Sequence, residues 1–389
     1  MSAAHGMSRR EFTTLSATGM LAAAGFRSPV SMPLRNAAGR SPEAWPAYDR
    51  AIAIDCLATP GPFNVNNSFA APFTEAAIGN ARASGLTAVN VTLNGNGNGP
   101  AAFSSAVQNV AFLEHEFDAH PDVLVKVKTV ADIRHAKEKK KLGLIPGFQD
   151  ATMLEDDLSR VELFHRLGIR IIQLTYNRRN LLGDGCLETA NAGLSALGRA
   201  AVARMNDSGV LVDLSHCGRQ TTLDGIELSA RPVAVTHSGC AALSDNPRNK
   251  SDDQLRRLAD RGGVVGVYLM PFLRASGQPT ADDVLVHIEH AIKVCGEDHV
   301  GIGSDQSITP VDATPEYRTL HAETVRERRR LGISAPGESE DVLVFTPDLN
   351  SPRRLDLIAD RMASRGHGSA RIAKVLGGNW LRLFGDVWR

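Results

Sequence analysis

Short, almost uninterrupted apolar runs, each followed by a helical stretch, recur from Ala51 to the end of this 389-residue chain. The runs lie at 51–57, 86–93, 123–127, 142–148, 169–175, 211–215, 233–236, 263–269 and 300–303. Strands with one wet face alternate polar and apolar residues. These runs do not, so they read as parallel strands covered on both faces. Parallel strands need long crossovers, and the segments between the runs supply amphipathic helices. Leu154 to Leu167 reads as an amphipathic helix with apolar Leu154, Leu158, Val161, Leu163, Phe164 and Leu167, and 195–208 and 251–261 keep the same period. Strand–helix order sustained over about 330 residues predicts one (β/α)8 TIM barrel spanning 51–389, rather than a doubly wound sheet. No GxGxxG follows an early strand; the stretch Asn94 to Gly99 has the wrong spacing and reads as a loop.

The 43 basic and 43 acidic residues cancel, and the one basic block, Lys137 to Lys141, reads as a solvated helix end. This excludes a nucleic-acid footprint, which needs a dense positive face. After residue 30 no apolar stretch approaches the ~20 residues that span a bilayer. The five cysteines, Cys56, Cys186, Cys217, Cys240 and Cys295, match no CxxC pair and no disulfide framework. At the start, Ser8-Arg9-Arg10-Glu11-Phe12 precedes the weakly apolar run Leu15 to Phe26. It resembles a twin-arginine signal, which implies recognition by the twin-arginine export machinery and a periplasmic destination. Residues 1–30 are therefore read as the signal and 31–50 as a linker.

Barrel enzymes place their chemistry at the C-terminal ends of the strands. Here those ends carry Gln149, Tyr176, His216, His237 and Asp305. Strand ends of one barrel face one mouth, so two imidazoles and a carboxylate are aimed at a common space. That is a donor set for zinc or another divalent metal that activates water. The sequence reading is thus a TIM barrel of the metal-dependent hydrolase type. His115, His120, His135, His165, His287, His290, His299, His321 and His367 sit in no motif and are read as surface residues.

The motifs around these positions are similar to those of the membrane dipeptidase (renal dipeptidase-like) family. Asp213-Leu214-Ser215-His216 and Pro232 to Ser238 resemble its paired histidine motifs, and Pro247-Arg248-Asn249 its arginine motif. Gly301 to Asp305 resembles its late aspartate motif, and Leu376 to Arg382 its terminal helix. Leu194 to Gly198, Leu331-Gly332-Ile333 and Pro336-Gly337-Glu338 fit bacterial members. The resemblance runs from Ala51 to the C-terminus. It implies a dipeptide or small-amide hydrolase with two divalent ions, usually zinc, that share a glutamate. His216 and His237 match the histidines of one ion. Arg248 matches the residue that binds the substrate carboxylate, a task suited to a guanidinium. Asp305 matches the carboxylate beside the other ion and the leaving amine, a proton carrier. The resemblance also implies a small peptide-like substrate and, as in many members, a homodimer.

The chain departs from the family pattern at four positions. Leu57 and Thr59 stand where the family carries a metal-binding histidine and aspartate, Gln149 where it carries the bridging glutamate, and Tyr176 where it carries a further histidine. Two divalent ions about 3.5 Å apart need carboxylates to offset their repulsion. Only Asp305 is retained, so the expectation is at most one ion, on His216 and His237 with Asp305 or the Gln149 carbonyl assisting. Tyr176 either donates a hydrogen bond to a developing oxyanion or fills the vacated space. Cys56 and Cys217 read as buried hydrophobes, and Cys240 is left open. Two other outcomes are kept: a pseudoenzyme that binds a peptide-like ligand without turnover, and a periplasmic tailoring enzyme acting on a secreted peptide-like metabolite.

Overall fold

Eight parallel strands close into a barrel in the computed structural model, which describes residues 45–61, 71–94 and 100–388. In chain order the strands are β1 (Ile54–Asp55), β2 (Ala58–Thr59), β3 (Ala88–Thr92), β4 (Leu124–Lys126), β5 (Leu142–Phe148), β6 (Ile171–Gln173), β7 (Leu211–Asp213), β8 (Ala234–Ser238), β9 (Val264–Val267), β10 (Val300–Ile302) and β11 (Gln306–Ser307). The ring runs β1, β3, β5, β6, β7, β8, β9, β10 and back to β1. Every apolar run of the sequence contains a strand. One of them, β4, is not a barrel stave. It pairs with Leu142 to Leu144 on the edge of β5 opposite β3, while β6 pairs with that edge from Gly147 onward. β2 and β11 form a separate two-stranded piece beyond the C-terminal ends of β1 and β10. The sequence signal missed it, because two-residue strands carry no periodicity.

The helices are α1 (Glu75–Ala83), α2 (Pro100–Ala119), α3 (Val130–Lys139), α4 (Arg160–Leu167), α5 (Ala196–Ser208), α6 (Arg219–Leu228), α7 (Asp252–Asp260), α8 (Ala281–Cys295), α9 (Pro315–Arg330), α10 (Arg354–Ser364), α11 (Ser369–Ala373) and α12 (Asn379–Val387). Ser195 caps α5 through the Gly198 N–H, and Ser251 with Gln254 forms a capping box on α7. α4 starts six residues later than its periodicity suggests. Glu155 sits at a φ of 51°, which a helix cannot contain, and the helix begins only past it.

Two apolar layers hold this arrangement. One lies between strands and helices. The other fills the N-terminal end of the barrel, where Ile54, Ile145, Ile171, Leu211 and Val264 meet Trp380, Phe384 and Trp388 of the C-terminal helix region. Trp380 is anchored by its indole N–H on the Ile302 carbonyl, 3.0 Å away. The floor is thereby closed, and the polar strand ends are left at the other mouth. The folded part begins ahead of residue 51: Trp45 and Tyr48 are buried, with Trp45 bonded through its backbone N–H to Asp360 (2.6 Å) and through its indole to Ser369 (3.1 Å). The signal expected at 1–30 lies outside the described residues. Among the described residues no helix is long and apolar enough to cross a membrane.

Candidate active site

β7 and β8 deliver His216 and His237 to the same point, their Nε2 atoms 2.9 Å apart. The seating of His237 depends on glycine at the end of β10, two places round the barrel from β8. A Cβ on Gly303 would lie 1.9 Å from the Thr236 carbonyl oxygen and 3.4 Å from the His237 Cβ. Both rings are buried and both are anchored on the far nitrogen. Asn177 donates its amide to the Ile333 carbonyl (2.8 Å), so its oxygen is the acceptor for His216 Nδ1–H at 2.6 Å. Thr236 donates its hydroxyl to Asp213 (2.7 Å), and its oxygen therefore accepts from His237 Nδ1–H at 2.8 Å. Asp213 itself is buried, which raises its pKa, while Ser215 and Thr236 each donate through backbone and hydroxyl to oppose that rise. With both protons on Nδ1, two Nε2 lone pairs face one another. The Gln149 amide supplies one N–H, to His237 Nε2 at 3.3 Å. The rest of that demand calls for a hydrogen-bond donor or a cation between the rings.

Arg248 and Lys250 stand beside the pair. Arg248 is 1% exposed; Nη1 donates to the Ser215 carbonyl (2.7 Å), and Nη2 has no hydrogen-bond partner among the described residues. Its guanidinium borders the Cys186 thiol, which burial pushes up in pKa while Arg248 and Lys250 pull it down. Lys250, also buried, donates to the Cys217 carbonyl (2.8 Å) and the Thr222 hydroxyl (3.1 Å), and burial lowers its pKa to about 8. Burial first, then the charges of Arg248 and Lys250, hold both histidines well below the ordinary imidazole pKa.

Tyr176 stacks on His216, ring centroids 4.1 Å apart at 22°. Its phenol meets the Arg328 guanidinium, which Glu338 grips at 2.7 and 2.9 Å; burial works against the Arg328 charge, but Tyr176 and Glu338 together raise its pKa. The two roles left open for this tyrosine are thus compatible. The ring covers His216, and Tyr176 is also among the residues that line a cavity of about 680 Å³.

Asp305 follows β10 at a φ of 60°, a left-handed conformation that aspartate tolerates better than most residues. Its N–H donates to the Leu57 carbonyl (2.9 Å). Among the described residues no three His, Cys, Asp or Glu side chains form a group that could hold a metal ion. Asp305 is carried on the β10–β11 connection. Leu57 and Thr59 are buried, neutral and without coordinating power comparable to the residues they replace. The donors present, two imidazoles with fixed Nδ1 protons and one amide, fit a single divalent ion and do not fit a pair. Cys56 is fully buried and pushed well up in pKa, Cys217 accepts from Thr175, and Cys240 is buried against His287; all five cysteines are free thiols. His287 and His321 are not surface residues. His287 bridges the Cys240 N–H (2.9 Å) and the Leu273 carbonyl (3.0 Å), and His321 Nε2 meets the carbonyls of Ser339 and Val342. Asn177, Asp213, Thr236, Lys250 and Arg328 were not singled out in the sequence. Asp213 and Thr236 lie inside the two histidine motifs and were within reach; the others are identified only by what they touch.

The family model for membrane dipeptidase (peptidase family M19) matches residues 64–330. An amidohydrolase of known structure from Pseudomonas aeruginosa is 33% identical, with 88% of this chain and 98% of that chain covered at a TM-score of 0.74. The Klebsiella pneumoniae protein described as "Uncharacterized protein in pqqA 5'region" is 29% identical over 272 residues, 67% of this chain and 88% of its own length. A Schizosaccharomyces pombe protein, "Uncharacterized dipeptidase C965.12", is 36% identical over 172 residues, 42% of this chain; the match spans 41% of that relative.

Proposed function

The chain belongs to the membrane dipeptidase family, peptidase family M19, a family of metallopeptidases, and we propose that it hydrolyses small peptide-like amides at the barrel mouth. One observation carries this reading: two Nε2 lone pairs converge beside a buried arginine whose Nη2 lacks a partner. Arg248 takes the substrate carboxylate, which places the scissile carbonyl over His216 and His237. Those two imidazoles would hold at most one divalent ion, and the Gln149 carbonyl would assist once its amide, which points its nitrogen at His237 Nε2, is turned over. Bound there, zinc or another divalent metal supplies Lewis acidity. Asp213, through Thr236, keeps the His237 lone pair aimed at the reacting group. Tyr176 donates to the developing oxyanion, and Asp305 carries a proton to the leaving amine. The sequence motif at Ser8 to Phe12 supports export to the periplasm, where a secreted peptide-like metabolite would be a substrate.

A second reading, a binder without turnover, is supported by Thr59 and Gln149, which stand where a metal pair requires acids, and by Leu57, which stands where it requires a histidine. One experiment separates the two. Hydrolysis of dipeptides and small amides is followed with and without added divalent metal, and metal content is measured by mass spectrometry. The expected result is at most one ion per chain and slow turnover that His237→Ala abolishes. Arg248→Met should raise KM by roughly 100-fold, as for loss of a charged hydrogen bond of about 2–3 kcal/mol. Gln149→Glu should raise metal content, because it adds the missing charge. Two tightly held ions in the natural chain would sink the single-ion site. Saturable ligand binding with no turnover under any metal would establish the binder.

A further inference from the structure

Two motifs take no part in the reading above: Leu331-Gly332-Ile333 and Pro336-Gly337-Glu338, both in the segment that follows α9. Their connection to the mouth runs through backbone carbonyls. The Ile333 carbonyl accepts from the Asn177 amide (2.8 Å), and Asn177 Oδ1 is the acceptor that fixes the His216 proton on Nδ1. The Pro336 carbonyl accepts from the Asn246 amide (2.7 Å), and Asn246 Oδ1 accepts the backbone N–H of Arg248 (3.0 Å). A third connection is Arg328, in the last turn of α9, whose guanidinium meets the Tyr176 phenol. A guanidinium can only donate, so the phenol oxygen accepts there and its own proton stays free for another acceptor. His216, Arg248 and Tyr176 are the groups to which the proposed hydrolysis gives the cation, the carboxylate and the oxyanion. They come from three separate stretches of chain, and one short segment reaches all of them.

That segment holds its shape through one acid. The Glu338 side chain is 5% exposed, which leaves its carboxylate little water, and it accepts from four donors instead. These are Arg328 Nε (2.7 Å) and Nη2 (2.9 Å), the Ala335 N–H (3.0 Å) and the Ser334 hydroxyl (3.0 Å). The two arginine bonds form a charge-assisted fork, which adds geometric specificity as well as energy. They tie the end of α9 to the far side of the loop. The carbonyls of Ile333 and Pro336 flank the Ser334 and Ala335 groups that Glu338 holds, so their aim at Asn177 and Asn246 depends on that carboxylate.

We propose that Arg328 and Glu338 are positioning residues of this site: their clasp sets the proton of His216, the backbone of Arg248 and the phenol of Tyr176 in one arrangement. The inference rests on the proposed roles of those three groups. Removing an outer partner that orients a metal-binding imidazole typically changes affinity by about 10- to 100-fold. Here one clasp stands behind the imidazole and the arginine alike, so metal and carboxylate binding should respond to it together.

The test uses the full chain and three variants, Glu338→Ala, Arg328→Met and Arg328→Lys. Each is titrated calorimetrically with zinc alone and with Ala-Ala alone, well below its unfolding temperature. Only folded protein is read there, so a clasp that served stability alone would lower Tm and leave both affinities untouched. Glu338→Ala and Arg328→Met are expected to weaken zinc and Ala-Ala binding by about tenfold or more each. Arg328→Lys, a point charge that cannot form the fork, should retain part of both. Nitrogen NMR spectra of the imidazoles in the ligand-free chain give a readout independent of binding. His216 should show one tautomer, protonated on Nδ1, and Glu338→Ala and Arg328→Met should show a mixture. Unchanged affinities with a single His216 tautomer in those variants would overturn the proposal. So would loss of one affinity with the other intact, because the clasp would then not set the mouth as a unit. If the natural chain binds neither zinc nor Ala-Ala, the proposed hydrolysis fails, and the clasp stands or falls on the nitrogen spectra.

Discussion

His237 is held by a hydroxyl relay rather than directly by an acid: Asp213 receives Thr236, and Thr236 receives the ring. The same economy appears at His216, where Asn177 fixes the proton. Each ring is left with its lone pair in the mouth, whatever the ligand. The most expensive side chain nearby is Lys250, buried with only a carbonyl and a hydroxyl as partners. Its pKa, lowered by burial to about 8 from 10.5, makes a stability prediction. Below about pH 8 the lysine is charged in both folded and unfolded chains, and the folded state carries the full burial cost. Between that value and 10.5 only the unfolded chain keeps the proton, so stability rises with pH. The difference in unfolding free energy between the natural chain and Lys250→Met should move toward the natural chain by about 2–3 kcal/mol from pH 7 to pH 10. Denaturant titrations at the two pH values check this, and a difference that ignores pH would show that Lys250 is solvated.

Strands β8 and β10 approach too closely for any side chain between them, and that closeness is what seats His237. Gly303→Ala would drive a methyl into the Thr236 carbonyl at 1.9 Å, a backbone atom that cannot swing aside. A loss of about 3 kcal/mol or more is expected, at the upper end of overpacking effects, together with loss of ligand binding. Thermal unfolding and calorimetry on the same variant would measure both; a Tm within a degree of the natural chain's would contradict the packing argument. At this scale much was legible beforehand. Nine apolar runs became nine strands, because burial on both faces writes itself into composition. The role of β4 was not legible: Leu124, Val125 and Lys126 look like any short stave, and only pairing shows that β5 shares one edge between β4 and β6. The late start of α4 was hidden for a similar reason, since its stripe continues through Glu155 although the backbone does not.

The described residues from 45 onward form a barrel closed at the bottom by Trp380 and its neighbours and open at the polar mouth. Its packing also extends to residues that looked like linker. Trp45 and Tyr48 are buried, so a chain begun at residue 51 should be less stable than one begun at residue 45 by about 3 kcal/mol or more, the cost of removing a buried aromatic. Equal thermal unfolding temperatures would refute that. The sequence alone determined the barrel, the family and the strand ends that carry His216, His237 and Gln149, because buried parallel strands demand apolar runs and the motifs keep their order. It also carries neutral residues at Thr59 and Gln149, where the resemblance implies acids, and Leu57 where it implies a histidine, since charge is a property of residue type. Tertiary structure alone decided which donors meet. His216 and His237 come within 2.9 Å, and among the described residues no group of three His, Cys, Asp or Glu side chains forms around them. That outcome depends on backbone direction at β10 and on partners such as Asn177 and Thr236, and no one-dimensional pattern encodes either.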